Sequence, residues 1–143
     1  MSLMKIFDTA GSGMAAQSLR LNTVASNLAN ADSVSSSPDS AYRAKELLFA
    51  PMQSPSTAPL GQDASAGVGG VRMLGVTESQ QPISSRYEPG NPMADVNGTV
   101  YGSNVNPIDE LVNMISASRS YQNNVEVMNS AKQLAIKTLE LGS

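Results

Sequence analysis

The residues in this chain that carry reactive groups are few, and their spacing suits structural duties. Asp109 and Glu110 are adjacent. Adjacent positions on a helix point apart, so these two cannot share a proton as a carboxylate pair; at a helix start they complement the positive end of the dipole. Gly67-Val68-Gly69-Gly70 is glycine-rich, but no Lys-Ser/Thr follows and no helix opens there, so it reads as a connector and not a phosphate cradle. Asn97-Gly98-Thr99 matches a glycosylation sequon, and a turn explains it fully. Serines are abundant, yet no G-x-S-x-G elbow is present and no His exists to act as their base. Lys132 and Lys137 lie in the C-terminal half of an expected helix, where cations are favoured anyway. With neither Cys nor His, the chain has no disulfides, thiolate nucleophiles or zinc sites of the usual kind. The expectation is a protein that is not an enzyme, with no catalytic, cofactor-binding or metal-ligating residues.

Composition points the same way. The chain has 143 residues, net charge −3, 15% charged residues and 4% aromatics. Two Phe, four Tyr and no Trp supply little bulk for a core. No segment is strongly basic, so nucleic acid is not an expected partner, and neither is a small-molecule substrate. No apolar run approaches the ~20 residues of a membrane-spanning helix. Met1-Ser2-Leu3-Met4-Lys5 lacks the apolar core of a signal peptide, and taken alone that start predicts a cytoplasmic protein.

The dominant element is the run from Asn106 to Leu141, which contains no Pro or Gly after Pro107. Asn106 can cap a helix, Pro107 fits its first position, and Asp109 can reach back as in a capping box. Gly142 suits a stop. At 1.5 Å per residue the helix would extend roughly 50 Å. Leu111, Ile115, Ser118, Tyr121, Val125, Met128, Ala135 and Leu139 form a near 3–4 alternation, the mark of a narrow packing seam. The remaining surface is polar but scarcely charged: Asn113, Ser116, Ser120, Gln122, Asn123, Asn124. Two readings fit equally: a helix packed inside one monomer, or one lying against helices on several sides.

A second stripe runs from Leu3 to Ala31 through Leu3, Phe7, Ala10, Met14, Gln17, Leu21, Val24, Leu28 and Ala31, with Gln17 its only polar member. Gly11 and Gly13 each cost a helix roughly 1 kcal/mol against Ala, so the helix is expected to be firm only from about Met14. Asp32 to Ser40 is a turn-rich break. The middle of the chain predicts strands over Ala41–Met52, Val71–Glu78 and Ile83–Tyr87, a flexible loop over Gln53–Gly70, and a hairpin at Asn97-Gly98 between Ala94–Val96 and Thr99–Tyr101. The fold expected is mainly α with a small β element. Residues 1–31 and 105–143 form long N- and C-terminal helices paired as an antiparallel coiled coil, and residues 32–104 form a central β-rich insert with its loop at 53–70.

Particular stretches carry a family resemblance. Ala25-Ser26-Asn27-Leu28-Ala29-Asn30-Ala31 resembles the N-terminal signature of bacterial flagellar axial proteins, the rod and hook group. Most of that group continues into a Pro-Gly-Tyr-type turn. Here Asp32-Ser33-Val34 follows, and later Tyr42-Arg43-Ala44-Lys45, a departure similar to the proximal rod branch. Asn113 to Asn129, Tyr87-Glu88-Pro89-Gly90-Asn91-Pro92 and Lys137-Thr138-Leu139 are similar to the same branch, with Asn124 standing where Ala is expected. Gln53 to Gly70 matches nothing firm. The resemblance implies an axial D0-type helical domain and a structural subunit of the rod, the drive shaft that transmits torque across the periplasm. It implies export by the flagellar type III apparatus without a cleaved signal peptide, which replaces the cytoplasmic expectation. The implied partners are copies of the chain, other proximal and distal rod proteins, the export apparatus, and the hook-basal-body adaptor protein FliE at the membrane end. The seam positions expected at subunit interfaces are Leu3, Phe7, Met14, Leu21, Val24, Leu28, Leu111, Ile115, Tyr121, Val125, Met128, Ala135 and Leu139. The alternative is an intracellular helical adaptor or chaperone-like binding module that pairs the two helices with one partner helix.

Overall fold

The structure is a computed structural model and describes residues 3–53 and 68–141. Its two long elements are α1 (Leu3–Ala29) and α2 (Pro107–Leu141). Between them lie β1 (Val34–Ser35), a 3-10 turn (Pro38–Ser40), β2 (Lys45–Gln53), β3 (Val68–Glu78), β4 (Ser85–Tyr87) and β5 (Thr99–Gly102). The chain divides into two compact units. One holds residues 3–19, 49–53, 68–74 and 117–141; the other holds Arg20–Leu48 and Gly75–Ser116.

The start of α2 is made as its sequence dictates. The backbone N–H of Ile108 donates to Asn106 Oδ1 at 3.1 Å, and Asn106 Nδ2 donates to Asp109 Oδ2 at 2.8 Å. Asn106 caps the helix as expected, but Asp109 reaches back to the cap's side-chain amide and not to its backbone N–H, so the bond differs from that of a capping box. Pro107 stands at the first position, where its missing N–H removes no bond. The expected stop at Gly142 lies outside the described residues.

The helix α1 runs unbroken from Leu3, so its first half is helical despite Gly11 and Gly13. Both glycines face α2. A Cβ built on Gly13 would lie 2.9 Å from Asn124 Nδ2, and one on Gly11 would lie 3.9 Å from Met128 Cε. The lost helix propensity is exchanged for close approach of two helices. At the other end Asn30 Nδ2 takes the Ser26 carbonyl at 2.8 Å, and Ser33 donates through N and Oγ to the Asn30 carbonyl. These bonds satisfy carbonyls the helix leaves open and turn the chain into the expected break.

In the unit of Arg20–Leu48 and Gly75–Ser116, β5 is the centre of an antiparallel sheet ordered β1-β5-β4. Val34 pairs with Gly102, and Ser85 with Tyr101. Val100 on β5 is fully buried, and Val24, Ala41 and Val105 join it in the core. The expected strand at Ala94–Val96 is absent. Asp95 Oδ1 accepts from the N–H groups of Asn97 (2.8 Å) and Thr99 (2.9 Å), and Gly98 takes φ +75°. The turn stands where the sequence placed it. The Asp95 carboxylate closes it together with backbone bonds from the Asp95 N–H to the Thr99 carbonyl and from the Gly98 N–H to the Asp95 carbonyl, each 2.9 Å, and both edges of β5 are occupied by β1 and β4. The strand expected over Ile83–Tyr87 shortens to Ser85–Tyr87, and the one over Ala41–Met52 begins at Lys45. Of the expected loop Gln53–Gly70, Gln53 closes β2 and Val68 to Gly70 open β3. Residues 54–67 lie outside the described residues.

In the other unit the buried apolar residues are Ala10, Ala16, Ala117 and Ala131. Alanines permit close packing but remove little apolar area from water. Gly70, at φ +139°, brings β3 onto α1, where the Val71 N–H donates to Ser12 Oγ at 3.2 Å.

Candidate assembly interface

The helices divide into covered and open faces. On α1 the expected seam is the covered side: Leu3, Phe7, Met14, Leu21 and Leu28 are half-buried and Val24 is buried. On α2 the expected seam splits. Val125, Met128 and Ala135 are half-buried, whereas Leu111, Ile115, Tyr121 and Leu139 are exposed. The positions of α2 covered within the chain are Glu110, Asn113, Met114, Ala117, Ser118, Ser120, Asn124, Val125, Met128, Ala131 and Ala135. Apart from Met114, Val125 and Met128 these are small or polar residues, which a search for large apolar side chains passes over. The signal that finds them is the matching Ala10, Gly11 and Gly13 on α1.

A polar cluster joins α1 to the first turn of α2. Asn27 is 2% exposed, and all its polar atoms are engaged. Its Oδ1 accepts from the Lys45 N–H at 2.9 Å and from the Tyr42 hydroxyl at 3.1 Å. Its Nδ2 donates to the Lys45 carbonyl at 3.0 Å and to Glu110 Oε1 at 3.1 Å. Arg20 Nη2 donates to Asn113 Oδ1 at 3.0 Å. Loss of water pushes the Glu110 carboxyl above the usual range; the Asn27 amide opposes this, the charge of Asp109 adds to it, Arg20 opposes it and Glu46 adds to it. Glu110 thus does more than complement a dipole. Asn104 forms a second cluster, accepting from the Ala44 N–H at 2.7 Å and donating to the Gln81 carbonyl at 3.0 Å.

Parts of the open surface are apolar. On α2, Ile108, Leu111, Val112 and Ile115 follow one another at i, i+3, i+4 and i+7, and Ile115 is 56% exposed. Further along, a groove of about 440 Å³ is lined by Ile6, Asn123, Glu126, Val127, Ser130, Ala131 and Leu134. Leu48, Met52, Val71, Met73, Leu74 and Val76 are exposed on β2 and β3. Among the described residues no helix is long and apolar enough to cross a membrane, and no group of three or more acidic residues is arranged to hold a metal ion. Stripes and grooves of this kind suit contact with other chains.

Comparison with known proteins gives the family of the chain. The family model described as flagella basal body rod protein matches residues 7–35, and that of the flagellar basal body rod FlgEFG protein C-terminal region matches residues 96–141. The flagellar basal-body rod protein FlgC of Salmonella typhimurium is 51% identical over 142 residues, covering 99% of each chain. That of Yersinia enterocolitica is 49% identical over the same length and coverage, and that of Buchnera aphidicola subsp. Acyrthosiphon pisum is 43% identical over 143 residues, covering 99% of this chain and 98% of the relative. The chain belongs to the FlgC family of flagellar basal-body rod proteins. It is a structural subunit of the rod, and its place is the flagellar basal body. The adaptor or chaperone-like alternative finds no support in these matches. The matched segments contain α2 whole and α1 from residue 7 onward.

Proposed function

We propose that this FlgC-family chain builds the proximal part of the rod through its terminal helices. Residues 1–31 and 105–143 form the axial D0-type domain, in which α1 and α2 pair as an antiparallel coiled coil, and residues 32–104 form an insert that meets other layers. Support comes from the order of cross-helix contacts. Gly11 and Gly13 face Met128 and Asn124, while Arg20 and Asn27 bond Asn113 and Glu110, so partners on α2 fall in number as those on α1 rise. The interface residues are Leu3, Phe7, Met14, Leu21, Val24, Leu28, Leu111, Ile115, Tyr121, Val125, Met128, Ala135 and Leu139. Those on the covered faces hold the pair, and those on the open faces meet neighbouring subunits. Burying an Ile or Leu contributes roughly 1.5–3 kcal/mol, so a few such contacts per subunit stabilise a shaft strongly, and packed interfaces resist the shear of torque. The neighbours are copies of the chain, other proximal and distal rod proteins, and FliE at the membrane end. The rod crosses the periplasm, and the subunits arrive through the type III export apparatus without a cleaved signal peptide.

The observation that carries this reading is the exposed stripe Ile108–Leu111–Val112–Ile115 on a helix whose opposite side is already covered. Ile115→Asp tests it. The position is open in the single chain, so the variant keeps its helix content and urea midpoint, while a charge in a dry subunit interface prevents rod assembly. A non-motile strain that still makes and exports the variant is expected. Normal swimming would overturn the interface assignment.

A further inference from the structure

The Asn27–Glu110 contact contains a mismatch that the rod function does not use. Glu110 Oε1 accepts from Asn27, but Glu110 Oε2 is shut off from water and has no hydrogen-bond partner. An ionised carboxylate offers about four acceptor sites, and only one is served here. The groups that face it do not make up the deficit. Asp109 on α2 and Glu46 on β2 are both acidic. Among the described residues Arg20 on α1 is the base that acts on it, and its Nη2 donates to Asn113 Oδ1. Lys45 contributes its backbone carbonyl to Asn27, while its ammonium stands 5.8 Å from the centre of the Tyr42 ring. A buried charge left so poorly paired costs more than the neutral acid in the same place.

We propose that closure of the first turn of α2 onto α1 is proton-linked through Glu110, tightest when its carboxyl is neutral and looser once it ionises. The raised carboxyl agrees with this, its chief cause being loss of water. The sign follows. A carboxyl raised in the folded chain binds its proton more tightly there than in the unfolded chain. Its stabilisation is fully present below the unfolded value and is lost as pH rises through the folded one. The isostere Glu110→Gln keeps an acceptor for Asn27 Nδ2 and removes the charge permanently.

The test uses the full chain. Urea midpoints are measured for the natural protein, Glu110→Gln and Glu46→Gln from about pH 8 to about pH 5. Glu110→Gln is expected to have the higher midpoint at pH 8, with the gap closing as pH falls. Glu46→Gln, which removes one facing acid and leaves the titrating group, is expected to keep most of the natural pH dependence. Curves for the natural protein and Glu110→Gln that stay parallel throughout overturn the proposal. Carbon-13 NMR titration of the natural chain gives a second measure that needs no variant. A Glu110 carboxyl titrating above the ordinary value of 4.5 is expected, and one at or below it overturns the proposal.

Discussion

Gly13 sits so close to α2 that a Cβ placed on it would lie 2.9 Å from Nδ2 of Asn124. Such a distance requires one side to move. Gly13→Ala would gain roughly 1 kcal/mol of helix propensity. The clash falls on the whole amide of Asn124, whose Nδ2, Cγ and Oδ1 would lie 2.9, 3.3 and 3.4 Å from the new Cβ, and overpacking costs about 1–3 kcal/mol. Gly13→Ala is therefore expected to lower the urea midpoint. Adding Asn124→Ala should raise it again, a sign of coupling that a double-mutant cycle reads directly. A Gly13→Ala chain more stable than the natural one would show that the helices do not approach here.

The side chain of Asn27 has acceptor and donor both engaged on fixed partners. Asn27→Ala leaves the Lys45 N–H and carbonyl unpaired, at a cost of about 1–3 kcal/mol. Asn27→Asp is expected to be worse. It keeps the acceptor for Lys45 and Tyr42 but replaces the donor facing Glu110 with a second carboxylate. Chemical denaturation of the two variants at neutral pH checks the order, and an Asp variant as stable as the natural chain counts against the orientation of the amide.

Asp95 closes the turn before β5, and its carboxyl lies below the usual range, chiefly because the Thr99 N–H donates to it. A depressed carboxyl contributes stability above its unfolded value and loses it as pH falls through the folded value. Asp95→Ala should therefore lower the urea midpoint at neutral pH, with the deficit shrinking below about pH 4. The Tyr101 hydroxyl, which donates to Asp95 Oδ2 at 3.2 Å, is pushed up in turn by loss of water and by that carboxylate. A deficit constant with pH would mean that the charge on Asp95 does not hold the turn.

Helix existence was written locally. Asn106, Pro107 and Asp109 define a start by hydrogen-bonding groups within one turn, and the absence of Pro or Gly beyond them lets the helix run on to Leu141. The covered stripe of α1 was equally legible, because its members are large and apolar and their spacing is the helix period. Local rules also placed the turn at Asn97-Gly98, though not the carboxylate that closes it.

Which side of α2 is covered was settled only in three dimensions. Hydropathy weighs transfer from water and therefore selects Leu111 and Ile115, while the distance between two helices is set by the smallest side chains available, here Gly13, Ala117 and Ala131. The pairing of Asn27 with Glu110, 83 positions apart, is of the same kind. The sequence by itself determined the two helices, their polarity and the turns between them, because those depend on neighbours within a few residues. The tertiary structure alone decided which faces meet and which stay open, because that depends on how near two distant backbones can come.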